Sequence, residues 1–227
     1  MNKINLASLK ITPVSQKIQP VTRPIAPDDY VGLVLEENLI WPLETYPSYV
    51  DDTLYQIVKM KTHLKTHTES PIHLNGKGNS LDKFPLEQFV GRAVFFTFDT
   101  KGEKRITLDM LKEQDKGRLK KGDIIICRAL WQKGDEAPKP EMDPDIGPWL
   151  FEKGIKLFGQ DVSFELGGAN HDYLLLNNVP LLEMLVNLDK IEQDVALLIA
   201  IPGLIEIIGI DSSTTPALVV EGIEFVD

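Results

Sequence analysis

Three of the chain's four histidines fall in the eleven residues from His63 to His73, which read H-L-K-T-H-T-E-S-P-I-H. No other stretch restricts the fold as much. His63 and His67 are four apart, Glu69 follows two later and His73 four beyond that, a ligand set suited to zinc or manganese. On a straight strand, at about 3.3 Å per residue, His63 and His67 would stand roughly 13 Å apart, whereas the ligands of one ion lie about 2.1 Å from it. A shared ion therefore requires the chain to curl between them. Thr62, Thr66 and Thr68 are poor helix formers, and Pro71 disfavours helical backbone at Ser70. The expectation is a strand end running into a compact loop, with a histidine-rich surface loop as the bland alternative.

A chain of 227 residues can bury a substantial core, and its balance of apolar and charged residues is that of a soluble globular protein. We read one domain, 29–227, behind an extended, proline-rich arm, 1–28, that either packs along a neighbouring subunit or forms a disordered tail. No window is long and apolar enough to span a bilayer, and the first residues lack a signal-peptide core, so a cytoplasmic location is expected. A formal charge of −10 argues against a nucleic-acid partner. The single cysteine, Cys127, lies in an apolar run and reads as a buried, inert thiol.

Strands are expected at Tyr30 to Leu35, Thr53 to Met60, Ala93 to Phe98, Ile124 to Trp131 and Ile155 to Phe158, with late strands at Val195 to Ile201, Leu204 to Ile210 and Ala217 to Val226. The apolar runs of the late strands imply a sheet covered on both faces or curled on itself. Thr107 can cap a helix through Lys116, and Trp149 to Lys153 reads as a short helix ending at a left-handed Gly154. Lys133 to Pro148 reads as a surface loop, a lid or a partner contact, and Trp41 reads as packing at the core edge. Pro180 is placed to open a helix to about Leu188, with Leu181, Leu185 and Leu188 as its apolar stripe. Glu183 among those leucines either faces solvent or, if buried, needs a compensating partner such as a metal ion.

The histidine segment resembles the H-x-G-T-H-x-D-x-P-x-H signature of the metal-dependent cyclase family, which includes bacterial kynurenine formamidases and isatin hydrolase. His63, Thr66, His67, Pro71 and His73 match it. A second family element, a histidine followed twelve residues later by a glutamate in an apolar helix, resembles His171 and Glu183. The resemblance implies an α/β fold of the swivelling β/β/α type, with a mixed, barrel-like sheet and outer helices. It puts His63, His67 and Glu69 on one divalent ion, makes Glu69, His171 and Glu183 available to a second, and leaves His73 as general acid or base. The implied cofactor is zinc or manganese, one or two ions per chain, and the resemblance also places the loop around Trp41 near the pocket mouth, which gives a substrate contact as the alternative for that residue. The implied reaction is hydrolysis of a small amide, formamide or lactam by metal-activated hydroxide. A metal-dependent cyclase or dehydratase, or a non-catalytic ligand binder, are the alternatives. The implied partners are a small-molecule substrate and a second copy of the chain, in a homodimer or higher homo-oligomer.

The sequence departs from the family pattern at named places. Lys65 replaces the glycine, which implies a different loop if that glycine serves a backbone shape resisted by side chains. Lys61 and Lys65 are expected to point outward. Glu69 replaces the aspartate and reaches one methylene further. A family S-P-x-R element is missing, since Ser213-Thr214-Thr215-Pro216 runs into Ala217. Asp161 is left out of the expected site because Ser163 follows it by two residues where the family spacing is three.

Overall fold

Ile124 to Cys127 is apolar at every position, and in the computed structural model its side chains alternate between two separate cores. The structure describes residues 8–16, 34–35, 38–39, 44–50, 53–59, 62–98, 105–129, 139–162, 165–203 and 210–225. Among these, nine strands form the main sheet. They are β1 (Lys10–Pro13), β2 (His67–Glu69), β3 (Val90–Phe98), β4 (Ile124–Ala129), β5 (Leu157–Asp161), β6 (Leu181–Leu185), β7 (Val195–Ala200), β8 (Ser212–Thr214) and β9 (Ala217–Glu221). Their spatial order is β1-β9-β7-β3-β4-β5-β6-β2-β8.

Strands β3 to β6 run parallel. Parallel neighbours need crossovers, and here each crossover carries a helix: α1 (Leu108–Asp115), α2 (Ile146–Lys153) and α3 (Gly168–Leu176). Right-handed crossovers in one direction place all three helices on the same face. Accordingly, Val94, Phe96, Ile125, Cys127, Phe158 and Leu181 pack with Leu111, Leu150 and Leu174. On the opposite face, Phe95, Ile124, Ile126, Leu157 and Leu182 share a core with Leu198 and Val219 of the antiparallel strands, because the sheet curls into a half-barrel. The expected mixed, barrel-like α/β architecture is the one found.

Local signals mostly landed near their elements. Thr107 Oγ1 accepts from the Met110 amide at 3.3 Å, and Gly154 ends α2 with φ 74°. Helix α2 opens earlier than expected, at Ile146, with Pro148 in its first turn where no intrahelical donor is needed. The strand expected at Ile155 to Phe158 begins at Leu157 and runs to Asp161. Cys127 is fully buried, and burial pushes its thiol up. Part of the expected N-terminal arm, Lys10–Pro13, is extended and pairs with β9 of the same chain. Trp41, Lys61, Ser163, the first part of the expected lid to residue 138 and nearly all of the strand expected at Leu204 to Ile210 lie outside the described residues.

One expectation is overturned. The segment after Pro180 is not a helix but strand β6, parallel to β5 and antiparallel to β2. Leucines at 181, 185 and 188 mimic a helical stripe, yet Leu181 and Leu182 are buried in opposite cores, as only a strand allows. Met184 at φ 58° interrupts the alternation just after Glu183, where the pairing with β5 shifts register. The helix of this region is α3, and it carries His171.

Candidate metal centre

The chain does curl between His63 and His67, and their ring centroids are 5.1 Å apart. Lys65 makes the bend with φ 58°, the left-handed backbone that glycine adopts at no steric cost. A lysine whose side chain is exposed thus takes up a backbone shape open to glycine. The strained residue also aims its carbonyl: His67 Nδ1 donates to the Lys65 oxygen at 2.6 Å.

Strand alternation then places His67 and Glu69 on one face of β2, while Thr68 on the other bonds Thr215 Oγ1 at 2.8 Å. Glu183 of β6 is the register partner of His67, and Ser212 of β8 is that of Glu69. His171 reaches the same face from α3. His73 sits in the short 3-10 turn Pro71–His73, its ring centroid 4.5 Å from that of His63 and 5.8 Å from that of His171. Two distant segments therefore meet at one place.

Glu69 is the centre of the arrangement. Its Oε1 lies 3.1 Å from both His63 Nε2 and His67 Nε2, and its Oε2 lies 2.9 Å from His171 Nε2. Each of these imidazoles has its other nitrogen engaged: His63 Nδ1 is 3.0 Å from Thr62 Oγ1, His67 Nδ1 is on the Lys65 carbonyl, and His171 Nδ1 is 2.9 Å from Asp172 Oδ1. Outer partners of this kind fix the ring orientation and leave Nε2 to face a cation. His63 Nε2 is moreover buried and without a hydrogen-bond partner among the described residues, although Glu69 is near. A buried ring nitrogen facing a carboxylate that it does not hydrogen-bond fits a divalent ion.

Ligand atoms of His67, Glu69 and Glu183 lie within 4.8 Å of one another, as do those of His63, Glu69 and His73. Glu69 belongs to both groups. The family-based arrangement paired His63 with His67 and gave Glu183 to a second ion with His171. The structure keeps these residues together and brings His73 beside them.

The charge balance is that of carboxylates sharing protons with imidazoles. Burial opposes the charge on Glu69, but the hydrogen bond from His171, the close approach of the His63 ring and the hydrogen bond from His67 outweigh it and hold the carboxyl well below its ordinary range. Burial likewise opposes protonation of His171, yet its bonds to Glu69 and Asp172 raise it to about 9. His67 is raised against burial by Glu69 and the Lys65 carbonyl. Glu183 is pushed up to about 7, first by burial and then by the charge on Glu69. A divalent cation would replace protons that these groups otherwise hold.

Sequence reasoning missed two neighbours. Asp211 Oδ2 lies 3.4 Å from His73 Nδ1 and 3.9 Å from His63 Nδ1. It stands 138 residues from His73, and no local signal marks it. Gln160 Nε2 donates to Glu183 Oε1 at 3.2 Å. Asp161, left out of the expected site, accepts from the Ala129 amide at 3.1 Å.

A half-barrel mixed sheet with helices on its outer face and a His/Glu cluster on β2, β6 and α3 defines an α/β protein with a candidate metal centre. The chain belongs to the cyclase family, whose model, described as "Putative cyclase", matches residues 12–164. It is similar to the kynurenine formamidase of Geobacillus thermodenitrificans (strain NG80-2), 26% identical over 139 residues that cover 56% of this chain and 65% of that protein. It is also similar to that of Bacillus thuringiensis (strain Al Hakam), 31% identical over 153 residues that cover 63% of this chain and 69% of that protein. The chain thus spans just under two thirds of the first relative and just over two thirds of the second. Among solved structures it resembles isatin hydrolase A from Labrenzia aggregata, with a TM-score of 0.71 and 22% identity over 95% of each chain. A protein described as a "predicted metal-dependent hydrolase" from Bacillus stearothermophilus gives 0.68 and 20%, covering 95% of this chain and 100% of that one. At such identities the two structures establish the fold. No helix among the described residues is long and apolar enough to cross a membrane.

Proposed function

We propose that this chain is a metal-dependent hydrolase of small amides, formamides or lactams, acting on C–N bonds other than peptide bonds in the manner of an arylformamidase. The observation that carries the reading is the convergence of three imidazole Nε2 atoms on the Glu69 carboxylate with His73 alongside. Kynurenine formamidases among the relatives support the choice of bond.

His63, His67, Glu69, His171 and Glu183 would hold one or two divalent ions, zinc or manganese, between them. When bound, such an ion supplies Lewis acidity and lowers the pKa of water to about 7. The protein's own contribution is positioning and proton transfer. Lys65, Thr62 and Asp172 lock the ring orientations. His73, with a third of its side chain accessible (33%), stands at the rim of the cluster, where it can pass a proton to a leaving nitrogen. Asp211, 3.4 Å from His73 Nδ1, stabilises the imidazolium formed on the way. We place this chemistry in the cytoplasm, on a small-molecule substrate and in a homodimer, which light scattering would check.

The experiment is elemental analysis and turnover of N-formyl aromatic amides by the wild type and by His73→Ala. We expect the wild type to carry one or two zinc or manganese ions per chain and the variant to keep them while losing about 10²-fold or more in kcat. Equal turnover would remove His73 from proton transfer, and loss of one metal equivalent would make it a ligand. A wild type that takes up no divalent ion and hydrolyses none of these amides would overturn the reading.

A further inference from the structure

The Glu183 carboxylate has two oxygens, and they face different partners. Oε2 lies 3.9 Å from His67 Nε2, inside the candidate cation group. Oε1 accepts from Gln160 Nε2 at 3.2 Å. Gln160 lies on β5, next to β6, within the register shift between Gly159 and Asp161. Strand alternation sends its side chain to the face that carries Phe158, which is also the face of Leu181 and Glu183. At 6% exposure it is a buried amide. Burying an amide beside a carboxylate that is itself largely buried is unfavourable unless the two satisfy each other.

We propose that Gln160 is a positioning residue for the metal centre. It holds Glu183 by one oxygen, so that the carboxylate presents the other to a cation and serves as a one-oxygen ligand. Without the amide, the carboxylate can rotate about its terminal torsion and present either oxygen or both. The amide carbonyl, Gln160 Oε1, is buried with no partner among the described residues. It is therefore a free acceptor, which a bound water or a substrate N–H can satisfy. The expected site, drawn from the histidine and glutamate motifs, contained no amide. This inference rests on the metal-centre reading above and goes beyond it in assigning a residue outside the ligand set.

The test is zinc and manganese binding to the full chain, measured by competition with a chromophoric chelator, for the wild type, Gln160→Met, Glu183→Gln and the double variant. Methionine conserves length and approximate volume but donates nothing. We expect one cation affinity to fall about 10- to 100-fold in Gln160→Met, as for loss of an outer partner of a ligand. The loss should be absent when the same change is made on the Glu183→Gln background, since the two residues act as a unit. The visible spectrum of the cobalt-loaded protein should shift as well, which a merely structural residue would not cause. If Gln160→Met does not fold, Gln160→Ala, which empties the space, serves in its place. Wild-type binding with unchanged affinities and spectrum in the variant would overturn this assignment alone. No binding by the wild type would overturn both it and the function proposed above.

Discussion

Glu69 Oε2 and His171 Nε2 lie 2.9 Å apart although 102 residues separate them in the chain. The contact joins strand β2 to helix α3 across β6 and closes the cluster. Because a single carboxylate faces three imidazoles, its charge holds more of the site than any one histidine does.

Glu69→Gln preserves shape but removes that charge. We expect metal binding to weaken by at least about 10²-fold, more than for loss of an outer partner. In the metal-free variant the pKa of His171 should fall from about 9 toward that of an ordinary histidine, as followed by NMR titration. A His171 that still titrates near 9 would show that Asp172 alone sustains the shift.

Asp211 should matter through His73. Asp211→Asn keeps a polar side chain of similar size but cannot stabilise the imidazolium with a charge. The expected result is a kcat lower by roughly 10- to 100-fold, within the range of general acid–base effects, with KM little changed and metal content intact. Steady-state kinetics alongside elemental analysis would separate this from a metal-binding defect.

Lys65 occupies a backbone conformation that costs a side-chain-bearing residue about 1–2 kcal/mol. Lys65→Gly should therefore be neutral to stabilising by roughly 1 kcal/mol, the relief being partly offset by glycine's larger unfolded-state entropy. Lys65→Ile, branched at Cβ, should destabilise by about 1–3 kcal/mol. Urea midpoints at constant m would decide, and a destabilised glycine variant would contradict the strain.

The metal-free protein should lose stability as the pH rises. His171 is raised from 6.5 to about 9, so the stabilisation from its ion pair is complete below about 6.5 and is lost as pH passes through about 9. Glu183 is raised from 4.5 to about 7, so a penalty for its ionisation builds between those values and persists above them. Both changes have the same sign and together amount to a few kcal/mol in order of magnitude. Urea unfolding in the presence of a chelator at pH 5.5, 7.5 and 9.5 should give falling midpoints. With zinc present, protons no longer compete at high pH, and the trend should flatten or reverse.

Much of this was legible in the chain. The spacing from His63 to His73 demanded a curl, and the bend at Lys65 supplies it. The apolar runs of the late strands pointed to a sheet covered on both faces or curled on itself, and the helices and the curled sheet provide both. Leu181 to Leu188 misled because a short apolar segment carries no decisive period. Its strand character comes from backbone partners on β5 and β2 that local sequence does not contain.

By itself, then, the sequence determined the chemistry available: which residues can ligate, that the histidine loop must bend, and which runs must be buried. Those follow from side-chain type and from the fixed rise per residue. Only the tertiary structure decided the clustering of imidazoles around Glu69, the partnership of Asp211 with His73 and that of Gln160 with Glu183. These contacts are set by strand register and crossover geometry, which bring together atoms from segments tens to more than a hundred residues apart.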